Sequence, residues 1–202
     1  MSDEALHTKL RDALLEFVRT TQNRALDPFR DNMASCGEQW IEAPANPLPV
    51  ARLLGQSWPD ASPSARSLMT LFADNNSRLR WEQTYTQAED SIGDDMVNGY
   101  GFVEIMGKWG PFVSDRVRSG VCVFGPRVNY PMHYHGAEEV YCLLSGKADF
   151  RLDDGHVERH EAGDMVYMRP LRHHGFRVLE ESVVMFYIWQ AGDLREKSTF
   201  VE

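Results

Sequence analysis

The stretch Tyr130-Pro131-Met132-His133-Tyr134-His135-Gly136-Ala137-Glu138-Glu139-Val140-Tyr141 carries most of the chemistry in this chain. On a strand, side chains alternate with period two, so His133 and His135 share a face. Gly136-Ala137 can turn the chain, after which Glu139 and Tyr141, again two apart, share a face of the next strand. If that face is buried, two imidazoles, a carboxylate and a phenol converge. Without partners such groups cost roughly several kcal/mol, and one divalent metal satisfies all of them. A second stretch, Gly163-Asp164-Met165-Val166-Tyr167-Met168-Arg169-Pro170-Leu171-Arg172-His173-His174-Gly175, reads as a turn, a short strand and a Pro-containing loop. It delivers a further imidazole, from His173 or His174.

Outward from this centre, apolar runs of strand length are separated by Gly, Asn, Asp and Pro: Gly101 to Met106, Gly120 to Phe124, Val140 to Leu144, Ala148 to Leu152, Asp164 to Met168 and Ser182 to Trp189. Leu79, Trp81, Gln83 and Tyr85 alternate with polar neighbours and read as a strand, and Asp153-Asp154-Gly155 reads as a hairpin turn. Many short strands with frequent turns predict an antiparallel sandwich or barrel. Before residue 79 the pattern is helical. Leu6, Leu10, Leu14, Phe17 and Val18 recur at spacings of three and four after a cap at Ser2 or Asp3. A Pro-rich break at residues 43–49 precedes short helices around Val50 to Leu54 and Ser64 to Phe72. The chain therefore divides into a helical extension, 1–78, and a β-barrel, 79–202. The apolar helix faces are expected to cover a barrel mouth or to form a homodimer contact.

Composition narrows the function classes. With 21 basic and 30 acidic residues the net charge is −9 over 202 residues, which argues against nucleic acid and anionic membranes as partners. No apolar run is long enough for a transmembrane helix, and no secretory signal is expected, so the reading is cytoplasmic. Cys36, Cys122 and Cys142 form no spaced motif and read as reduced thiols. Six of the seven histidines fall between His133 and His174. His156 and His160, among acidic neighbours, read as solvated hairpin residues.

The two stretches resemble the two cupin motifs. The first has His133, one residue, His135, three residues, Glu139, six residues and Gly146. The second has Gly163 and a His eleven residues on, which selects His174, although Arg169 and Leu171 stand where the family usually has Pro and Gly. The resemblance implies a mainly β fold, a single cupin (double-stranded β-helix or jelly-roll barrel) with an N-terminal helical extension. It also implies a metal site of His133, His135, Glu139 and His174 for one divalent transition metal (Fe, Mn, Zn, Ni or Co). Residues 79–85, 110–117, 130–141 and Tyr187-Ile188-Trp189 are further similar to the bacterial dimethylsulfoniopropionate lyases of cupin type, most of all to the DddL type. Tyr141, two beyond the ligand Glu, is the most telling position.

That resemblance implies a carbon–sulfur lyase that cleaves dimethylsulfoniopropionate to acrylate and dimethyl sulfide. Its substrate is a small zwitterion with a carboxylate at one end and a sulfonium at the other. A metal holding the carboxylate and Tyr141 as general base would serve β-elimination. Tyr130, Trp189, Tyr187, Trp81 and Tyr85 are the candidates for the sulfonium pocket, through cation–π attraction. Tyr134, between the two metal histidines, is expected to point away. Another metal-dependent cupin enzyme, a dioxygenase or isomerase, and a non-catalytic metal-binding cupin are the alternatives.

Overall fold

A computed structural model describes the chain except for residues 38, 56, 88–91, 154 and 202. Helices come first. Helix α1 (Asp3–Thr20) starts where the Ser2 hydroxyl accepts the Ala5 N–H at 3.2 Å, with Asp3 and Glu4 complementing the helix dipole. It buries the predicted Leu6, Leu10, Leu14, Phe17 and Val18. A 3-10 turn at Arg24–Phe29 leads into α2 (Arg30–Ala34), and Pro49–Gly55 is 3-10 as well. Helix α3 (Pro63–Asp74) has Pro in its first turn and a Ser62 cap.

Twelve strands follow among the described residues, with α4 (Asp94–Gly99) inserted after the first. They are β1 (Trp81–Glu82), β2 (Tyr100–Gly107), β3 (Phe112–Val113), β4 (Val117–Phe124), β5 (Asn129–Tyr134) and β6 (Glu138–Ser145). Then come β7 (Lys147–Leu152), β8 (Val157–Glu161), β9 (Met165–Met168), β10 (His174–Val178), β11 (Val183–Gln190) and β12 (Thr199–Phe200). One sheet runs β1-β2-β4-β11-β6-β9, with β3 beside β2; the other runs β12-β5-β10-β7-β8. All pairs are antiparallel except β2 with β3. Side chains of both sheets meet in one inner core, where Phe124, Tyr141, Phe150, Phe176 and Met185 are buried together. This is the expected jelly-roll barrel. The hairpin signal is answered by the β7–β8 pairing, although Asp154 itself lies outside the described residues.

The larger sheet is covered twice. Its outer face, through Val103, Val121, Val140, Phe186 and Ile188, packs against Leu10, Leu14, Phe17, Leu68 and Phe72 of the helices. Phe17 meets Phe186 edge-on at 5.7 Å. The apolar helix faces are thus buried on the flank of this chain's own barrel, not over a mouth. Among the described residues no helix is long and apolar enough to cross a membrane.

The predicted strand over 79–85 is cut to Trp81 and Glu82. Beyond it the Gln83 side chain donates to the Val97 and Tyr100 carbonyls at 2.7 Å, and the Tyr85 N–H donates to Tyr100 Oη at 2.5 Å. Side chains replace the ladder there, so the chain leaves the sheet.

Candidate metal centre and active-site cavity

The centre is built where the two sheets face each other. His133 on β5 lies opposite His174 at the start of β10, and their rings are 4.2 Å apart. His135 follows directly after β5, with its ring 5.1 Å from His174. The ligand nitrogens of the three lie within 4.8 Å of one another, and all three residues are buried. Glu139 comes from β6 on the other sheet, and its Oε2 lies 3.0 Å from His135 Nε2 and 3.6 Å from His174 Nε2. Its Oε1 accepts the indole N–H of Trp189, the cross-strand neighbour on β11.

The tautomers follow from the backbone. His133 Nδ1 faces the Pro131 carbonyl at 2.8 Å, His135 Nδ1 that of Ala137 at 3.0 Å, and His174 Nδ1 that of Arg172 at 2.7 Å. A carbonyl only accepts, so each Nδ1 carries a proton; in the neutral rings each Nε2 is then free to donate a lone pair to a metal, and without one His135 Nε2, when protonated, donates to Glu139 Oε2 at 3.0 Å. His174 Nε2 is buried without a hydrogen-bond partner. Burial works against ionising Glu139, but the facing His135 and His174 hold its carboxyl well below the usual carboxylate range. Burial, then His174, depresses the basicity of His133; for His135, burial is outweighed by Glu139 and the pKa rises. Three converging lone pairs and an ionised carboxylate are the donor set of a divalent transition metal, and these residues fit one.

Local backbone irregularities bring these groups together. Between β5 and β10 the register runs His133 opposite His174 but Tyr130 opposite Phe176, so Pro131 and Met132 face Gly175 alone. This bulge reverses the parity, and Tyr130, three residues from His133, stacks on its ring at 4.1 Å. A Cβ at Gly175 would meet the Tyr130 and Pro131 carbonyls at 2.8 and 2.9 Å, so a larger residue would push the two strands apart. In the loop before His174, Leu171 takes a left-handed φ of 61°, the conformation of the Gly that the cupin pattern has there. Its N–H donates to the His135 carbonyl at 2.9 Å, tying the two ligand loops together. His174, not His173, enters the centre; His173 stacks outside on Tyr134 at 5.0 Å.

Beside the centre lies a cavity of about 70 Å³. Glu139, Tyr141, Tyr187 and Trp189 border it from β6 and β11, where Tyr141 pairs with Tyr187 and Glu139 with Trp189. Trp189 also stacks on His135 at 4.1 Å. A cluster of Tyr85, Tyr100, Phe124 and Tyr130 forms another part of the wall, with ring separations of 5.8 to 6.4 Å. Burial first, then Glu139, pushes the Tyr141 phenol up; burial, then Glu104, does so for Tyr187, whose Oη has no hydrogen-bond partner.

Of the predicted site residues, Tyr130, Tyr141, Tyr187, Trp189 and Tyr85 all reach this cavity. Trp81 does not. It pairs with Val103 in the outer core, fully buried, with its N–H donated to Asn76 at 2.7 Å. The sequence reading also passed over Tyr100, Phe124 and Arg118, which lie on strands whose apolar runs gave no sign of which face was inner. His156 is exposed as expected, whereas His160 is half-buried, edge-on to Phe150 at 5.4 Å.

The family model for dimethylsulfoniopropionate lyase matches residues 23–185, reaching well into the helical part. The chain is 29% identical over 173 residues to dimethylsulfoniopropionate lyase DddQ of Ruegeria pomeroyi, covering 84% of each. It is 26% identical over 198 residues to the putative dimethylsulfoniopropionate lyase DddL of Cereibacter sphaeroides, covering 95% of this chain and 80% of that protein. A chain from the crystal structures of the lyases RdDddP and RnDddQII superposes over all of both chains with a TM-score of 0.84 and 25% identity.

Proposed function

Since the chain belongs to the dimethylsulfoniopropionate lyase family, we propose that it cleaves dimethylsulfoniopropionate to acrylate and dimethyl sulfide in the cavity beside the three histidines. The observation that carries this reading is the placing of Tyr141 on the same strand face as Glu139, inside an aromatic cavity whose lining residues Glu139 and Trp189 contact His135 of the three-histidine group. In this reading Glu139 completes the ligand set. Bound there, a divalent transition metal supplies Lewis acidity to a substrate carboxylate oxygen and favours the phenolate of the nearby Tyr141.

The chain's own groups do the rest. Tyr141 Oη takes the proton from the carbon next to the carboxylate. The C–H electron pair becomes the new carbon–carbon π bond, and the C–S bond breaks with its pair going to sulfur. Dimethyl sulfide leaves neutral, so no acid is required. The faces of Tyr85 and Tyr130 attract the sulfonium by cation–π interaction, roughly 0.5–2 kcal/mol each. Trp189 orients Glu139 and His135, and its exposed edge contacts substrate. The aromatic part of the wall limits the water that reaches the carbanion-like charge as it develops.

The test is headspace detection of dimethyl sulfide from purified, metal-loaded protein given dimethylsulfoniopropionate, with related thioethers and sulfonium compounds as controls. Dimethyl sulfide and acrylate in equal amounts are expected. No product at any metal loading overturns the reading and leaves the other metal-cupin chemistries.

A further inference from the structure

Three charged residues of the cavity wall, Arg118, Glu196 and Lys197, have no part in the chemistry above, and of these Arg118 is the most deeply buried. Arg118, on β4, pairs across the ladder with Trp189, and its side chain is only 11% exposed. Its Nε donates to Glu104 Oε2 at 2.8 Å. Phe102, Trp109 and Trp189 surround the guanidinium, with ring centres 5.3 to 5.5 Å from Cζ. No hydrogen bond engages its two terminal nitrogens among the described residues.

Glu104 is itself held rigidly. The β2–β4 register shifts between Glu104 and Met106, a bulge that re-aims the carboxylate. Oε1 accepts the N–H groups of Trp109 and Gly110 at 2.8 and 2.9 Å. Gly107, at φ 152°, leaves room for that oxygen, since a Cβ there would lie 2.4 Å from it. With both oxygens of Glu104 committed, the guanidinium is fixed through Nε, and Arg118 lines both the cavity and the neighbouring cleft bordered by Arg80, Glu82, Trp109 and Arg195. Two residues along β4, Gly120 pairs with Tyr187, whose Oη is buried and unpartnered in the same cavity wall. The wall therefore offers the four terminal N–H bonds of a guanidinium and one phenolic O–H. Such a set, poor in water, matches a carboxylate.

We infer that Arg118, seated by Glu104 and joined by Tyr187 Oη, binds the carboxylate oxygen that a metal at the histidines leaves free, and so fixes the direction in which the zwitterion lies. The sulfonium is repelled by the guanidinium and turns to the cluster of Tyr85, Tyr100, Phe124 and Tyr130. Arg118 is then a specificity-determining residue: it admits sulfonium carboxylates and rejects amides or esters of the same shape. The identity of the substrate rests on the lyase reading, but the carboxylate site does not.

Acrylate, an anion of the right size, serves as the probe, with acrylamide as its neutral counterpart. Calorimetry on the metal-loaded protein should show acrylate bound and acrylamide not. Arg118→Lys keeps a cation for Glu104 while losing the planar fork, and Glu104→Gln/Arg118→Gln removes both charges together. Both should weaken acrylate about tenfold or more, and Tyr187→Phe, which keeps the ring, several-fold, with metal content unchanged. The KM for dimethylsulfoniopropionate should rise in parallel, with a smaller change in kcat. Equal acrylate affinity in native protein and in folded Arg118→Lys and double variants would overturn the inference, as would equal binding of acrylamide. If acrylate binding depends on Arg118 but no dimethyl sulfide forms, the carboxylate site stands and the lyase reading falls.

Discussion

The two sheets that enclose the cavity contribute in opposite ways. The five-stranded sheet brings the imidazoles, and it does so through irregular backbone: a bulge at Pro131–Met132, a left-handed Leu171, a histidine just past a strand end. Its outer side is open, and along β8 only His160 is not exposed. The seven-stranded sheet brings Glu139, Tyr141, Tyr187 and Trp189 from regular, paired stretches of β6 and β11, and every residue of β11 is buried. The wall that carries the imidazoles is shaped by local bends of the backbone. The wall that carries Tyr141 is held by a sheet buried between two cores. Precision in this molecule is thus obtained by deformation on one wall and by burial on the other.

That contrast can be broken at chosen points. The largest effect is expected on the clamped wall's inner face. Tyr141→Phe keeps the ring and the packing but should lower dimethyl sulfide release on the order of 10³–10⁴-fold, with metal content by elemental analysis near that of the native protein. Loss of metal in that variant would mean that Tyr141 serves the ligands and not the reaction. On the outer face of the same sheet, Phe186→Ala removes a fully buried ring from the helix-packed core. It should cost about 3–4 kcal/mol in denaturant unfolding. If clamping matters as stated, the folded remainder should also turn over more slowly, although Phe186 touches no substrate.

Smaller effects are expected where the walls meet. Trp189→Phe deletes the N–H that orients Glu139, and metal affinity measured against a chromophoric chelator should fall roughly 10–100-fold. On the deformed wall, Leu171→Gly replaces a 62% exposed side chain at φ 61° with the residue that takes this conformation without strain. It should raise stability by about 0.5–1 kcal/mol and leave metal affinity unchanged. A drop in stability would show that Leu171 is held by contacts, not merely tolerated.

The contrast also explains what the sequence could and could not disclose. The grouping of the histidines was legible because the spacing is local: His133 and His135 come together, with the Glu139 carboxylate 3.0 Å from His135. Helices α1 and α3 were legible because one apolar face each is buried. The inner and outer faces of β2 and β4 were not, since strands buried on both sides lose the apolar–polar alternation. Arg118 and the buried ion pair with Glu104 escaped notice for that reason. Trp81 was misplaced by an alternation that the chain does not keep: Leu79 and Trp81 join the outer core, and Tyr85 crosses to the cavity once the strand has ended. Tyr130 shows the converse. Simple parity opposes it to His133, and only the bulge puts the two rings together.

The acceptors that orient the three imidazoles are the carbonyls of Pro131, Ala137 and Arg172, each two residues from the histidine it serves. Side-chain replacement cannot delete a main-chain carbonyl. Natural drift and laboratory mutagenesis alike therefore have little purchase on this half of the coordination shell, short of moving the backbone. The Glu139 arm is different, because its partner is the indole of Trp189. A protein built this way inherits the geometry of its three imidazoles with its fold, and holds the Glu139 arm through a side chain that a single substitution can replace.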